Sequence, residues 1–439
     1  MRVLIISHEV WTESSNGGNV LSNIFSGFDA EFAQIYCSSG IPNNKLCKNY
    51  FQITDKMIIK GLLKRQKIGK QIKFDEFPYQ STVIATNNEN QKWYFKIFTR
   101  YRWSLFSLLR EFLWKLSSWK TYELEKFILD FKPDIIFAPC YSHMFMLRLD
   151  RYVKKTAKVN MISYISDDNY SLRQFNLSPF YWLNRFLSRG SIRKTFKDYS
   201  LVYTMTDEQA NELNKSLLAN MKILLKGDDF SGESKKLLVN NPIRIVYAGG
   251  IYVNRWKILS KIGEVLKEIN EDGVKIRLDI YTQNTCSQRQ KNVLHDGRSI
   301  FLQAAVGQNE LKKIYKLSDI ALHVESFELK YRLLTRLSFS TKIVDCLAST
   351  CAVIAISWKG HAGLKYLMQN DAALCIDDIS KLKETLIGLV QKPDTVVEYA
   401  NKAWLCGKRN HQIDKISKDL QSDFLRFKTD NRFFLNGEK

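Results

Sequence analysis

Several things are scarce or missing in this 439-residue sequence, and each closes off a class of protein. None of the eight cysteines forms a C-x-x-C pair; the closest two, Cys346 and Cys351, are five residues apart. That argues against a zinc site and for scattered reduced thiols in a cytosol. Proline is rare, at 7 residues, and there is neither an internal repeat nor a low-complexity segment, which fits an ordered globular chain. No run of eighteen apolar residues occurs, so no spanning helix is expected. Met1–His8 is too short, and too soon interrupted by Glu9, to be a signal peptide, and it reads as a buried first strand. The G-x-G-x-x-G fingerprint of a dinucleotide enzyme is absent. Acidic residues are also short: 45 Asp and Glu face 66 Lys and Arg, a net charge of +21. Such a field attracts nucleic acid, anionic lipid or a polyanionic substrate. No recognised RNA- or DNA-binding motif is present, so nucleic acid is not the expected partner.

What is present is an alternation of apolar strands and helical stretches. In the second half, strands are expected at Ile243–Tyr247, Val274–Tyr281, Ile300–Ala305, Asp319–Val324, Ala352–Ile356 and Ala373–Ile376. Helices are expected at about Trp256–Ile269 and Asn309–Leu317. The first half repeats the pattern, with strands at Val3–Ser7, Phe32–Cys37, Ile135–Ala138, Met161–Ile165 and Leu201–Thr204, and a helix at Val20–Phe28. Continuous apolar strands between helices mean parallel sheets covered on both faces. The expected class is α/β, with two doubly wound domains. The first spans residues 1–240 and carries a basic and aromatic insertion near 45–125; the second spans 241–395, with a boundary near Val239–Pro242. A helical tail, 396–439, docks back on the first domain. Within the insertion, Lys60–Lys73 is dense in Lys and Arg, and Trp93–Trp114 mixes aromatics and bases at helical spacing. That composition suits a helix lying at an anionic membrane surface, or a core helix whose bases reach out to water.

Two motifs carry chemistry in the second domain. Gly249-Gly250 follows its first strand, and Arg255 and Lys257 open the next helix. Ligands bind at the carboxyl ends of strands in such sheets, so these cations would face a diphosphate. Further on, Ser338–Ser349 reads as a loop turning into a helix. Ser340 or Thr341 can cap it, and Lys342 lies in its first turn. A lysine there opposes the helix dipole unless an anion sits on top. Asp345 shares its face at i+3. A capped surface helix with an ion pair is the alternative. In the first domain, Gly17-Gly18 opens the first helix and allows close approach of a ligand or simply a tight turn. Ser166-Asp167-Asp168-Asn169 and His143 follow strands, and Asp168 could orient an acceptor hydroxyl.

The second domain resembles the donor-binding domain of GT-B glycosyltransferases, most closely the retaining family four of bacterial surface-polysaccharide synthesis. The resemblance implies two Rossmann-like domains facing a cleft. It places Gly250, Arg255 and Lys342 at a donor diphosphate, Asp345 at the ribose, Ser340 and Thr341 as further donors, and Tyr281 near the base. Gly17 and Gly18 fit the family's looser first-domain pattern. It further implies a UDP-sugar donor, retention at the anomeric carbon and no metal. Two positions depart from the family's paired glutamates eight residues apart. Asp345 stands in place of the second, and Leu337 in place of the first. Glu325 or Glu328 could replace the missing acid, or Glu325 could pair with Lys330 or Arg332.

The expectation is therefore an enzyme that moves a sugar from a nucleotide diphosphate donor to a glycan or lipid-linked acceptor, in the cytoplasm or at the inner face of the plasma membrane. A nucleotide-sugar epimerase of the same fold, a non-catalytic GT-B partner subunit and a basic nucleic-acid-binding protein are its rivals.

Overall fold

The computed structural model describes residues 1–12, 16–73, 104–232 and 236–436. The chain divides into two compact units. Unit 1 comprises Met1–Leu172, Asn176–Leu224 and Ser417–Lys439; unit 2 comprises Arg173–Phe175 and Leu225–Ile416.

Unit 1 is built on an eight-stranded sheet: β1 (Arg2–Ser7), β2 (Glu31–Tyr36), β3 (Cys47–Gln52), β4 (Lys70–Lys73), β5 (Ile135–Pro139), β6 (Met161–Ile165), β7 (Tyr199–Thr204) and β8 (Met221–Ile223). Their order is β4-β3-β2-β1-β5-β6-β7-β8. Every pairing is parallel except β3 with β4. Every residue of β6, and all but the first of β1, is buried. Apolar runs rather than alternation are what a sheet with helices on both faces requires.

Unit 2 carries a six-stranded, wholly parallel sheet: β9 (Ile243–Ala248), β10 (Ile276–Thr282), β11 (Ile300–Ala304), β12 (Ile320–Val324), β13 (Ala352–Ile356) and β14 (Leu374–Ile376). Its order, β11-β10-β9-β12-β13-β14, is the doubly wound 3-2-1-4-5-6 arrangement. The chain leaves β9 in one direction and returns to β12 on its other side, so the loops after these two strands diverge and leave a crevice. The core is made by Ile245, Tyr247, Leu278, Ile280, Leu322, Ile354 and Ile356 with the helix Arg255–Ile269 through Leu259, Ile262 and Leu266.

Two expectations differ from this, and a third lies partly outside the described residues. Unit 2 begins at Leu225, well before Val239–Pro242. The intervening segment belongs to unit 2 because Lys236 and Asn240 both bind the buried Asp319 carboxylate, Lys236 at 2.9 Å. The tail is divided: the helix Asp394–Asn410 lies in unit 2, and only Ser417 onward lies in unit 1. The Lys60–Trp114 region contains the end of the helix Asp55–Lys64, strand β4 and most of the helix Ser104–Leu116, while its residues 74–103 lie outside the described residues.

Candidate functional site

The crevice between β9 and β12 gathers the unusual charges of unit 2. Gly249-Gly250 leaves β9, and three hydrogen bonds fix the loop. Gly249 N–H donates to Tyr281 O at 2.9 Å, Tyr247 Oη–H donates to Gly250 O at 2.7 Å, and Ile251 N–H donates to Asn284 Oδ1 at 2.8 Å. Arg255 is the first residue of the helix that follows. Its guanidinium is buried and bidentate on Glu325, just past β12: Nη2 to Oε1 at 2.6 Å and Nε to Oε2 at 3.1 Å. The third nitrogen, Nη1, is buried with no hydrogen-bond partner.

Lys342 opens the six-residue helix Lys342–Leu347. Its Nζ is also buried without a partner, 5.6 Å from the Tyr247 ring centroid. The ammonium lies against Gly249 so closely that a methyl group there would come within 2.0 Å of Nζ. A side chain at that position would have to push the lysine aside. Burial, and next the Arg255 charge, lower Lys342 to about 8. Arg255 behaves oppositely: burial works against its charge, but Glu325 outweighs it and holds the guanidinium above its ordinary value. Glu325 is likewise opposed by burial and kept below its ordinary value by Arg255. His323 Nε2 is buried, has no partner and lies 3.8 Å from Glu325 Oε1. Burial lowers His323 to about 3, so the ring is neutral at pH 7 and this contact is no ion pair. One buried carboxylate thus stands among two buried cations. A charge buried without a partner is costly, and an anionic ligand would remove that cost.

The remaining expected residues fall in different places. Lys257 pairs instead with Glu328 at 2.6 Å on the exposed side of the helix start. Glu325 binds neither Lys330 nor Arg332; Arg255 holds it. Thr341 precedes the Lys342 helix, but its hydroxyl makes no cap bond; the turn is closed by the Ser340 and Thr341 carbonyls. Asp345 is ion-paired with Lys226, so a ribose diol there would share or displace that lysine. Tyr281 is the penultimate residue of β10, and its carbonyl holds the glycine loop. Leu337 is buried.

Asp168, Gly17 and Gly18 belong to unit 1. The two glycines lie in the first turn of the helix Asn16–Ile24. Asp168 is buried and accepts from Ser171 N–H at 2.8 Å and from Arg185 Nη2 at 3.3 Å, so its charge already holds a loop together. Four contributors escaped the sequence reading: Lys226, Tyr247, Asn284 and His323. Only His323, a histidine inside an apolar strand, carried a local signal.

Unit 1 has a second cluster where its own strand order reverses, at the ends of β1 and β5. The His8 and His143 rings lie 5.5 Å apart. Arg110 Nη2 donates to His8 Nε2 at 2.9 Å, and Arg110 Nε donates to Asp55 Oδ1 at 3.0 Å. Arginine can only donate, so His8 carries its proton on Nδ1. Burial and then Arg110 lower His8 to about 4 and His143 to about 3. Both are neutral imidazoles at pH 7.

Two doubly wound sheets with these crevices define the GT-B fold, and solved structures of that fold match nearly the whole chain. A sucrose-phosphate synthase from Thermosynechococcus elongatus matches with TM-score 0.60 at 10% identity, covering 97% of this chain and 98% of its own. Anabaena Alr3699/HepE in complex with UDP gives TM-score 0.60 at 10% identity, with coverage of 97% and 100%. An Escherichia coli trehalose-6-phosphate protein bound with UDP-2-fluoro glucose gives 0.59 at 9% identity, with coverage of 97% and 99%. At such identity the likeness is one of fold. No protein-family model and no curated protein matches the sequence.

Proposed function

We propose that this protein is a glycosyltransferase that takes its sugar from a nucleoside diphosphate donor, with UDP-sugars the first to try. The observation that carries the reading is the pair of buried, unsatisfied cationic nitrogens, Lys342 Nζ and Arg255 Nη1, beside the Gly249-Gly250 turn at the β9/β12 crevice. A diphosphate would supply the missing acceptors to both. UDP and UDP-2-fluoro glucose are the ligands named for two proteins of the same fold.

In the proposed reaction the donor C1–O bond breaks and a bond from C1 to the acceptor oxygen forms on the same face. The acceptor proton passes to the leaving phosphate oxygen. Arg255 and Lys342 stabilise the charge that gathers on that phosphate, the role fixed dipoles and cations fill in other transfer reactions. They act in place of a metal. Glu325 holds Arg255 in position. Asp345 takes the ribose and Tyr281 lies near the base. His143 and the Asp167–Asp168 loop stand on the acceptor side, and a glycan or lipid-linked acceptor fits the +21 charge.

Titration calorimetry with UDP, GDP and dTDP identifies the nucleotide. Lys342→Ala and Arg255→Ala should each cut transfer by about a hundredfold or more. Full turnover in purified Lys342→Ala would refute the assignment. Incubating donor without acceptor separates the rival epimerase, which would release free epimerised sugar.

A further inference from the structure

We propose that one face of unit 1, made by the helices Asp55–Lys64, Ser104–Leu116 and Pro179–Phe196, docks on an anionic lipid bilayer. This surface stands apart from the nucleotide reading and does not depend on it. The three helices are neighbours: Ser104–Leu116 packs against both others, and Asn184 Nδ2 donates to Ser107 Oγ at 3.3 Å.

Each helix turns more apolar surface outward than its packing uses. In Ser104–Leu116 the core takes Trp114, stacked on Phe145 with centroids 4.4 Å apart. Yet Leu105, Leu109, Phe112 and Leu116, at spacings of four, three and four, form a second stripe that is 43–57% exposed. The helix Pro179–Phe196 buries Ile192 and Phe196 in the core, but polar side chains beside them. Its buried side includes Arg185, Ser188 and Thr195, while Phe180, Leu183, Phe186 and Leu187 are 45–57% exposed. Arg185 is spent inward on Asp168, and Ser188 Oγ–H on Ser142 O at 2.6 Å. Leu63 of the first helix is 79% exposed. Exposed apolar side chains gathered on neighbouring helices mark an interaction surface.

Charge selects the occupant. The helix Pro179–Phe196 contains no acidic residue; Arg189 turns to the Tyr170 carbonyl, while Arg193, which also reaches the Tyr170 hydroxyl, and Lys194 are exposed. The one acid of Ser104–Leu116, Glu111, is buried against Arg148 at 3.1 Å. Lys56, Lys60 and Lys64 are exposed at successive fourth positions. Apolar side chains flanked by bases suit the headgroup–acyl boundary of an anionic leaflet. A second copy of the chain would set +21 against +21. No described helix is long and apolar enough to cross a membrane, so the face would lie on the surface.

Vesicle flotation of the full chain tests this, using phosphatidylcholine with and without phosphatidylglycerol. The protein should float with the anionic vesicles at low salt and lose much of that binding as salt rises. L109E/F112E and L183E/F186E should each weaken flotation by about tenfold or more. The melting temperature of both variants should fall little, because the four side chains changed are about half exposed and none belongs to the buried core. No flotation of the wild-type chain at low salt would overturn the proposal. So would Glu variants that float as well as wild type, or a dimer in solution that the same substitutions split.

Discussion

Lys342 is an ammonium with nothing to bind, and that fixes how its proton should behave. Burial first, and Arg255 second, hold it near 8 in the ligand-free protein. In the unfolded chain it returns to about 10.4. Between those values the unfolded state binds more protons, so this group's contribution to stability rises with pH across the window from about 8 to about 10.4. A bound diphosphate reverses the preference, because the charged form then has a partner. Binding above pH 8 must therefore take up a proton, and UDP affinity should fall by about tenfold per pH unit there. Calorimetry at pH 9 in buffers of different ionisation enthalpy reads the uptake directly. The heat should depend on buffer for wild type and not for Lys342→Met; a buffer-independent wild-type heat would remove Lys342 from the site. Lys342 and Arg255 were visible in the sequence because a cation in the first turn of a helix is locally out of place. Their neighbours were not. Tyr247 looks like any apolar strand residue, and Lys226 reaches Asp345 from 119 positions away.

At the scale of elements, the Arg255–Glu325 pair ties the start of the helix Arg255–Ile269 to the end of β12, across the crevice. Both groups are nearly fully buried, so their mutual attraction is set against two desolvation penalties. Glu325→Ala would leave the guanidinium buried and alone, and should cost about 3–5 kcal/mol in urea unfolding. Arg255→Met with Glu325→Leu removes both charges and should unfold close to wild type, while UDP binding is lost. That split separates a residue kept for binding from one kept for stability. A double variant as unstable as Glu325→Ala would mean the pair itself holds the fold. Sequence proximity pointed Glu325 to Lys330 or Arg332; the strand order brings it to a residue seventy positions away instead. The central strands β1, β5, β6, β9, β12 and β13 were legible because both of their faces are buried. Strands β3, β4 and β8, toward the two ends of the first sheet, were not. Only one residue of β4 is buried, and its lysines suit an exposed edge better than they advertise a strand.

At the scale of the whole molecule, the two units differ in how the chain builds them. Unit 2 is one stretch, Leu225–Ile416, apart from three residues at Arg173–Phe175. That stretch contains Lys226, Gly249, Arg255, Glu325, Lys342 and Asp345, with their strands and the core beneath. Unit 1 is discontinuous. Its core is completed by the end of the chain, where Phe424 is fully buried against Phe25, Phe28 and Phe137 at centroid distances of 5.9, 5.1 and 6.1 Å. Asn160 Nδ2 also donates to Phe427 O at 2.7 Å. Removing that segment strips a large aromatic contact, and a single Phe→Ala change in such a core costs about 3–5 kcal/mol. A fragment of residues 225–416 should then fold alone, with a cooperative melt, and bind UDP through the Arg255 and Lys342 nitrogens. A fragment of residues 1–224 should not fold until residues 417–436 are supplied. Circular dichroism melts of both fragments, with calorimetry on the first, decide it. If the 225–416 fragment melts cooperatively yet ignores UDP, the crevice charges do not suffice for the nucleotide. If residues 1–224 fold unaided, the terminal helix is an ornament of unit 1 rather than part of its core.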